Sequence, residues 1–119
     1  HVRYLGPIAH DSPMLRSAYA ACEVFCLPST LETPGLAALE AAAAGARLII
    51  TGEGSTREYF GEDALYVNGS NVDEIAAALV ASSIAPATEK LKRRVVSQFT
   101  WETAVQPLRD LYKMLATTR

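Results

Sequence analysis

Residues 24–51 read VFCLPSTLETPGLAALEAAAAGARLIIT, two short apolar segments on either side of a run of helix formers. Val24–Leu27 and residues 48–51 lack the alternation of polar and apolar side chains that marks a half-exposed strand. Continuous apolar strands are typical of a parallel sheet that is covered on both faces. The stretch therefore predicts a strand–helix–strand unit, which is the building block of an α/β fold.

The helix between these two strands is predicted over residues 34–44. Thr33 can cap the start, Pro34 suits a first helical position, and Gly45 is the expected left-handed stop. At helical spacing one apolar stripe should face the sheet, and it consists of Leu36, Leu39 and Ala43.

The alternation of strands and helices continues along the rest of the chain. Further strands are predicted at residues 2–5 and 64–67. Five further helices are predicted. One starts at Pro13 after the cap Ser12, and the others cover residues 56–60, 87–98 and, after the cap Thr100, 101–116. The fifth runs from a cap at Ser70 or Asn71 to about residue 82, and its inner face should consist of Ile75, Leu79 and Val80. The pattern predicts an α/β domain with a Rossmann-like parallel sheet flanked by helices, which binds ligands beyond the carboxyl ends of its strands.

Composition limits the classes of function. The chain has 119 residues, half of them apolar, and a formal net charge of −2, which argues against nucleic acid as a partner. No segment resembles a signal peptide, and the longest apolar stretch, residues 36–50, is interrupted by Glu40 and Arg47 and is too short to span a bilayer. A cytoplasmic protein is the simplest interpretation.

The two cysteines, Cys22 and Cys26, predict neither a metal site nor a redox site. They are four residues apart, without further ligands nearby and without the spacing of a redox pair. We interpret both as small buried apolar residues.

Two glutamates flank the start of the central helix. Glu32 lies in the loop that leaves the first strand, and Glu40 lies on the border of the apolar stripe of the helix. Between them, the backbone N–H groups of the first helical turn have no internal partners and attract anions. Gly35 allows a ligand to approach the backbone closely, whereas Pro34 removes one donor.

This layout suits an extended ligand with a charged middle. The two acids are too far apart to hold one small atom, but they can hold opposite ends of a sugar–diphosphate–nucleoside whose phosphates lie at the helix start. The positions of the two acids in the sequence support a second interpretation equally well. In this alternative Glu32 is an exposed acid in a loop, Glu40 is a solvated residue of the helix, and neither binds a ligand.

The segment LPSTLETPGLAALEAAAAGA resembles the E-x7-E signature of retaining glycosyltransferases of the GT-B fold, notably family 4 (glycosyl transferases group 1). Their usual form is P-S-x-x-E-G-F-G-L-x-x-L-E-A-M-A-x-G. This chain agrees at Pro28, Ser29, Glu32, Gly35, Leu36, Leu39, Glu40, Ala41 and Gly45. VRYLG at 2–6, LRSAYAACEVFCLPS at 15–29, TGEGSTRE at 51–58 and FTWETAVQPLRDLY at 99–112 are similar to other family segments in the same order.

The resemblance implies roles for named residues. Glu32 would contact the transferred sugar near the reacting centre and Glu40 the ribose hydroxyls. The backbone at Thr33, Gly35 and Leu36 would hold sugar and phosphate oxygens. No metal and no cofactor would be needed, because the helix dipole and basic side chains neutralise the diphosphate of the nucleotide-sugar donor. The loop over residues 6–13 would border the base.

The chain also departs from the family pattern. Thr33-Pro34 replaces the usual Gly-Phe, and Ser55 stands where the second glycine of G-G is usual. The resemblance implies that the phosphate-binding Arg and Lys of the family would lie upstream of residue 1.

The chain begins without Met, and the resemblance assigns residues 1–119 to the C-terminal, donor-binding domain from strand 3 to strand 6 and the closing helices. The first part of that domain and the N-terminal acceptor domain would be absent. We therefore expect Val24–Leu27 to be an unpaired edge, repaired in a larger molecule or by strand exchange into an oligomer. The isolated chain should be inactive.

The resemblance implies a hexosyltransferase that acts with retention on a sugar, lipid or other acceptor. Peripheral membrane association of the full-length enzyme is compatible with it. Two alternatives stay open at this point. One is a nucleotide-sugar epimerase of the same fold, and the other is a non-enzymatic, doubly wound nucleotide-binding or regulatory module.

Overall fold

The computed structural model describes residues 1–86 and 88–118. Its α-helices are α1 (Pro13–Ala21), α2 (Leu36–Ala44), α3 (Thr56–Phe60), α4 (Val72–Ile84), α5 (Lys90–Gln98) and α6 (Trp101–Thr117). Its strands are β1 (Val24–Leu27), β2 (Arg47–Thr51) and β3 (Leu65–Val67). The predicted start of a helix at residue 87 lies outside the described residues.

The three strands form a parallel sheet in the order β1-β2-β3. The central strand β2 is buried from Leu48 to Thr51, because helices cover both faces of the sheet. Its apolar side chains supply both halves of the core, with Ile50 on the α2 side and Ile49 on the α4 side. The predicted parallel sheet flanked by helices is therefore present.

Helix α2 packs against the sheet through alanines. Ala38, Ala41 and Ala42 are fully buried, whereas Leu36 is 59% exposed. The prediction that Leu36 faces the sheet was wrong, although Leu39 and Ala43 do pack at the margin of the core. Small side chains allow the helix axis to approach the sheet closely, so the alanine face is the one that is buried.

The start of α2 also differs from the prediction. The helix begins at Leu36, two residues after Pro34, and its N-cap is Gly35 in a left-handed conformation with φ 74°. Thr33 does not cap it. Only a residue that tolerates positive φ can make this turn without strain. The left-handed end at Gly45, with φ 106°, is confirmed.

Three side-chain caps predicted from the sequence are confirmed. The side-chain oxygens of Ser12, Asn71 and Thr100 accept the N–H groups of Met14, Glu74 and Thr103. These residues start α1, α4 and α6 by satisfying backbone donors that the helix itself leaves free.

The inner face of α4 was predicted incorrectly in part. Ala78 and Ser82 are buried, and Ile75 packs at the edge of the core. Leu79 and Val80 are exposed. As in α2, the smaller side chains face the sheet because they allow close approach.

Residues 2–5, predicted as a strand, have no regular structure. Val2 is fully exposed, and Tyr4 nearly so. A strand needs a neighbour for its backbone hydrogen bonds, and in the described part of the chain no strand pairs with β1 on its outer side. The prediction that β1 is an edge strand is confirmed.

The last two helices differ in their contact with the core. In α5, Leu91 and Val95 are buried against α2 and β2, and the Nε of Arg94 donates to the carbonyl oxygen of Tyr59 at 2.7 Å. In α6 no residue is buried among those that the structure describes. Helix α5 therefore belongs to the folded unit, whereas α6 is exposed over its whole described length and has few contacts beyond α5.

Candidate functional site

Glu32 lies at the carboxyl end of the sheet, where the fold class places ligands. Glu32 returns to the sheet after β1 and forms a single parallel bridge with Gly54. Its N–H donates to the carbonyl oxygen of Glu53 at 3.1 Å, and its carbonyl oxygen accepts the N–H of Ser55 at 3.1 Å. The backbone of Glu32 is thus held on both sides by the loop that follows β2.

The side chain of Glu32 is half-buried beside the start of α2. The Oγ of Ser29 donates a hydrogen bond of 2.6 Å to its Oε1. Its Oε2 lies 3.6 Å from the point where a Cβ on Gly35 would stand. The Glu32 carboxylate therefore lies beside Gly35, at the start of α2.

The start of α2 is open to an anion. Leu36 and Ala37 occupy the first two helical positions, where N–H groups have no intrahelical acceptor. No side chain caps this end and no acidic residue lies in its first turn. Thr33 is exposed and Pro34 half-buried just before this end of the helix, whose free amides carry a partial positive charge.

Glu40 lies one turn further along α2, about 6 Å from Leu36 at the helical rise. It lines a mainly apolar groove of about 440 Å³ together with Pro34 and Leu36. The same groove is bordered by Leu39, Ala43, Tyr59, Val95, Val96, Phe99, Thr100, Trp101 and Ala104. Glu40 is therefore a charged group at the edge of an apolar concavity.

Two side chains from α1 and its preceding loop contact Glu40. Nε2 of His10 lies 3.2 Å from its Oε1, with 87% of the His10 side chain and 40% of the Glu40 side chain exposed. Burial, followed by a hydrogen bond to Glu40, raises the pKa of Tyr19 to about 12. The neutral form of the Tyr19 phenol is therefore favoured beside the Glu40 carboxylate.

A second depression of about 340 Å³ lies beyond the ends of β2 and β3. The guanidinium of Arg57 stands 3.9 Å above the ring of Tyr66 in it, and the Tyr66 hydroxyl donates to the carbonyl oxygen of Gly61 at 2.6 Å. Because Glu53 and Glu74 also line it, its charge does not favour an anion.

The described residues include no group of three or more His, Cys, Asp or Glu side chains that could hold a metal ion. Cys22 and Cys26 are free and half-buried, and burial raises the pKa of both thiols. In the part of the chain that is described, none of the helices is both long and apolar enough to cross a membrane.

Sequence reasoning missed several contacts of the two glutamates. Tyr19 packs against the core and His10 lies at the surface, and both also lie beside Glu40, which the sequence alone does not show. Sequence reasoning also assigned no role to Gly54 and Gly69, which approach the loop of Glu32 more closely than any other residue type would allow. Asn68-Gly69 is a turn signal in the sequence, but a turn signal does not tell which loop lies opposite.

Comparison with known proteins assigns the chain to a family. The profile described as Glycosyl transferases group 1 matches residues 1–83. The chain belongs to this family of glycosyltransferases. The predicted resemblance to group 1 (GT4) enzymes is thereby confirmed.

Two curated relatives cover nearly the whole of this group 1 chain. The D-inositol 3-phosphate glycosyltransferase of Kribbella flavida is 32% identical over 98% of the chain. The O-antigen chain mannosyltransferase B of Escherichia coli is 32% identical over 96% of it. The chain spans only 28% and 30% of the lengths of these relatives.

A solved structure supports the fold assignment. Sucrose-phosphate synthase from Thermosynechococcus elongatus matches this group 1 chain with a TM-score of 0.74 and 28% identity. The match covers 89% of the chain and 28% of that protein. The three-stranded parallel sheet with its helices thus corresponds to part of a GT-B glycosyltransferase, as predicted.

Proposed function

We propose that this chain binds the nucleotide-sugar donor of a longer retaining glycosyltransferase, which transfers a hexose to an acceptor. The observation that carries the proposal is the uncapped start of α2 between Glu32 and Glu40. Its free amides suit a diphosphate. The two carboxylates suit the hydroxyl groups at either end of the donor.

Each residue has a role in this proposal. Glu32 contacts the sugar near the reacting carbon, and Glu40 accepts hydrogen bonds from the ribose. The backbone at Thr33, Gly35 and Leu36 supplies the surface for the phosphates.

Pro34 has no N–H to donate and instead contributes to the wall of the groove. Amides that are already aimed at the leaving diphosphate stabilise its developing charge without reorganisation, so no metal or other cofactor is required for this step.

The acceptor is assigned to a part of the enzyme outside this chain. In the proposal, residues 1–119 belong to the C-terminal domain, and an N-terminal domain binds the sugar, lipid or other acceptor. This agrees with the fraction of the relatives that the chain spans. We expect the chain alone to bind donor without transferring sugar, and a cytoplasmic location stays a prediction.

Ligand titration tests donor binding. Nucleoside diphosphates and nucleotide sugars should perturb the amide resonances of residues 33–40 in the full-length enzyme, and adenine, guanine, thymine and uracil nucleotides should be compared. A matched series with sugars alone distinguishes recognition of the diphosphate from recognition of the sugar. A full-length protein that responds to no nucleotide would favour a non-enzymatic interaction module.

Turnover tests the reaction class. Glu32→Ala in the full-length enzyme should abolish transfer while nucleotide binding persists, because the nucleotide end lies near Glu40. The anomeric configuration of the product distinguishes retention from inversion. Release of an epimerised sugar in the absence of any acceptor would instead identify an epimerase.

A further inference from the structure

Two glycines lie close to the backbone of the loop that carries Glu32, one near each end of the loop. We define the Glu32 loop as residues 28–32 and the glycine slot as Gly54 and Gly69. Gly54 belongs to the loop after β2, and Gly69 belongs to the loop after β3. The slot is therefore built by two loops that the sheet itself holds in position.

Gly54 touches the end of the Glu32 loop. A Cβ on Gly54 would overlap the carbonyl oxygen of Glu32 and would lie 3.0 Å from its carbonyl carbon and 3.2 Å from its nitrogen. Gly54 also has φ 96°, a conformation that side chains with a Cβ rarely adopt. Both its space and its backbone angle require glycine.

Gly69 touches the beginning of the same loop. A Cβ on Gly69 would overlap the carbonyl oxygen of Pro28 and would lie 2.6 Å from the carbonyl oxygen of Ser29. These two loops meet even though β2 separates β1 from β3 in the sheet. The neighbouring atoms are backbone atoms, which cannot turn away as a flexible side chain can.

We propose that Gly54 and Gly69 are positioning residues that set the location of Glu32 for sugar transfer. The inference rests on the proposed function, because it assigns Glu32 to the reacting centre. The slot fixes the backbone of the Glu32 loop at both ends, and Ser29, inside the loop, fixes the carboxylate. A Cβ in the slot displaces the loop and moves the carboxylate away from the sugar, whereas Glu40 in α2 keeps its place.

Turnover and donor binding are measured separately in the full-length enzyme. Gly69→Ala should lower kcat by roughly tenfold to a hundredfold, as expected for a displacement of about 1 Å at the reacting centre. The dissociation constant of the donor should change by about twofold or less, because Glu40 and the start of α2 are untouched. Gly54→Ala should lower kcat further, because a Cβ there overlaps the carbonyl oxygen of Glu32 itself and the backbone also has positive φ.

Gly45→Ala is the matched control. Gly45 also has positive φ, 106°, but a Cβ there would meet only the side chain of Lys92, at 3.9 Å. Its substitution strains the backbone at the far end of α2 and should destabilise the protein without lowering kcat. The control therefore shows whether a lower kcat in Gly69→Ala comes from displacement of Glu32 or only from a less stable protein.

Carbon-13 resonances of labelled glutamate carboxyl groups give a readout that does not depend on turnover. Gly69→Ala should shift the Glu32 resonance, assigned with Glu32→Gln, and leave that of Glu40 in place. An unchanged Glu32 resonance or an undiminished kcat in Gly69→Ala would overturn the inference. If the wild-type enzyme neither binds nor uses a nucleotide sugar, the proposed function is wrong. The Glu32 carboxyl resonance of Gly69→Ala still shows in that case whether the glycine slot positions Glu32.

Discussion

The hydroxyl of Ser29 donates a hydrogen bond of 2.6 Å to one carboxylate oxygen of Glu32. The two residues are three apart in a loop that turns over the end of β1. A hydrogen bond to a charged group contributes about 1.5–3 kcal/mol. Here it restrains a side chain whose backbone is already paired with the loop after β2.

Ser29→Ala should therefore reduce turnover of the full-length enzyme by roughly tenfold, the equivalent of about 1.4 kcal/mol in the barrier. The carboxylate stays present but loses its restraint. Ser29→Thr keeps a hydroxyl and should recover most of the activity. Equal loss in the alanine and threonine variants would show that the hydroxyl is not what matters.

Glu40→Ala should weaken binding of the nucleotide donor rather than slow transfer from bound donor. The expected cost is about 1–3 kcal/mol for hydrogen-bonding groups that lose a charged partner. Isothermal titration with a nucleoside diphosphate measures it directly. Glu23→Ala, an exposed acid just before β1, is the control and should leave affinity unchanged. An unaltered affinity in Glu40→Ala would remove Glu40 from the donor site.

Tyr19 should ionise well above the ordinary value of 10.0, because its pKa is raised to about 12 by burial and by the hydrogen bond to Glu40. The neutral form is favoured in the folded state. The contribution of this group to stability is therefore complete below pH 10 and is lost as the pH rises toward 12. Tyrosinate absorbance, compared between wild type and Tyr19→Phe, isolates its titration.

Glu40→Ala should lower the pKa of Tyr19 only in part, since burial is the larger cause of its shift. A complete return to the ordinary value would mean that the carboxylate, and not burial, controls this phenol. The same variant thus tests the contact between α1 and α2 independently of any ligand.

Ala41→Leu should destabilise the folded chain by about 1–3 kcal/mol, because the extra carbons have no space in a closely packed interface. Ala41 is fully buried between α2 and the sheet. Ala44→Leu places the same side chain on the exposed end of the same helix and should change stability by about 0.5 kcal/mol or less. Chemical denaturation monitored by circular dichroism compares the two. Similar values for both would show that the alanine face tolerates expansion.

Local signals in the sequence predicted most elements correctly. Ser12, Asn71 and Thr100 cap the helices for which they were assigned, and Gly45 ends α2 in the left-handed conformation. These features involve only neighbouring backbone groups, so residue type and spacing are enough to predict them.

Several predictions failed because they depended on distant partners, and two of them illustrate the reason. Residues 2–5 have a suitable strand composition but no strand beside them in the described sheet. Leu36 has suitable helical spacing, yet the alanines of α2 face the sheet and Leu36 borders the groove next to Glu40. Periodicity identifies faces of a helix, but the closeness of packing selects which face is buried.

The amino-acid sequence by itself determined the order of the helices and of strands β1, β2 and β3 along the chain, and the membership in the glycosyltransferase family. Tertiary structure alone decided that Tyr19 and His10 meet Glu40, and that Gly54 and Gly69 enclose the loop of Glu32. Helix ends and strands follow from interactions between neighbours in the chain. Contacts between separate loops depend on how the parallel strands bring their carboxyl ends to one edge, which no short stretch of sequence encodes.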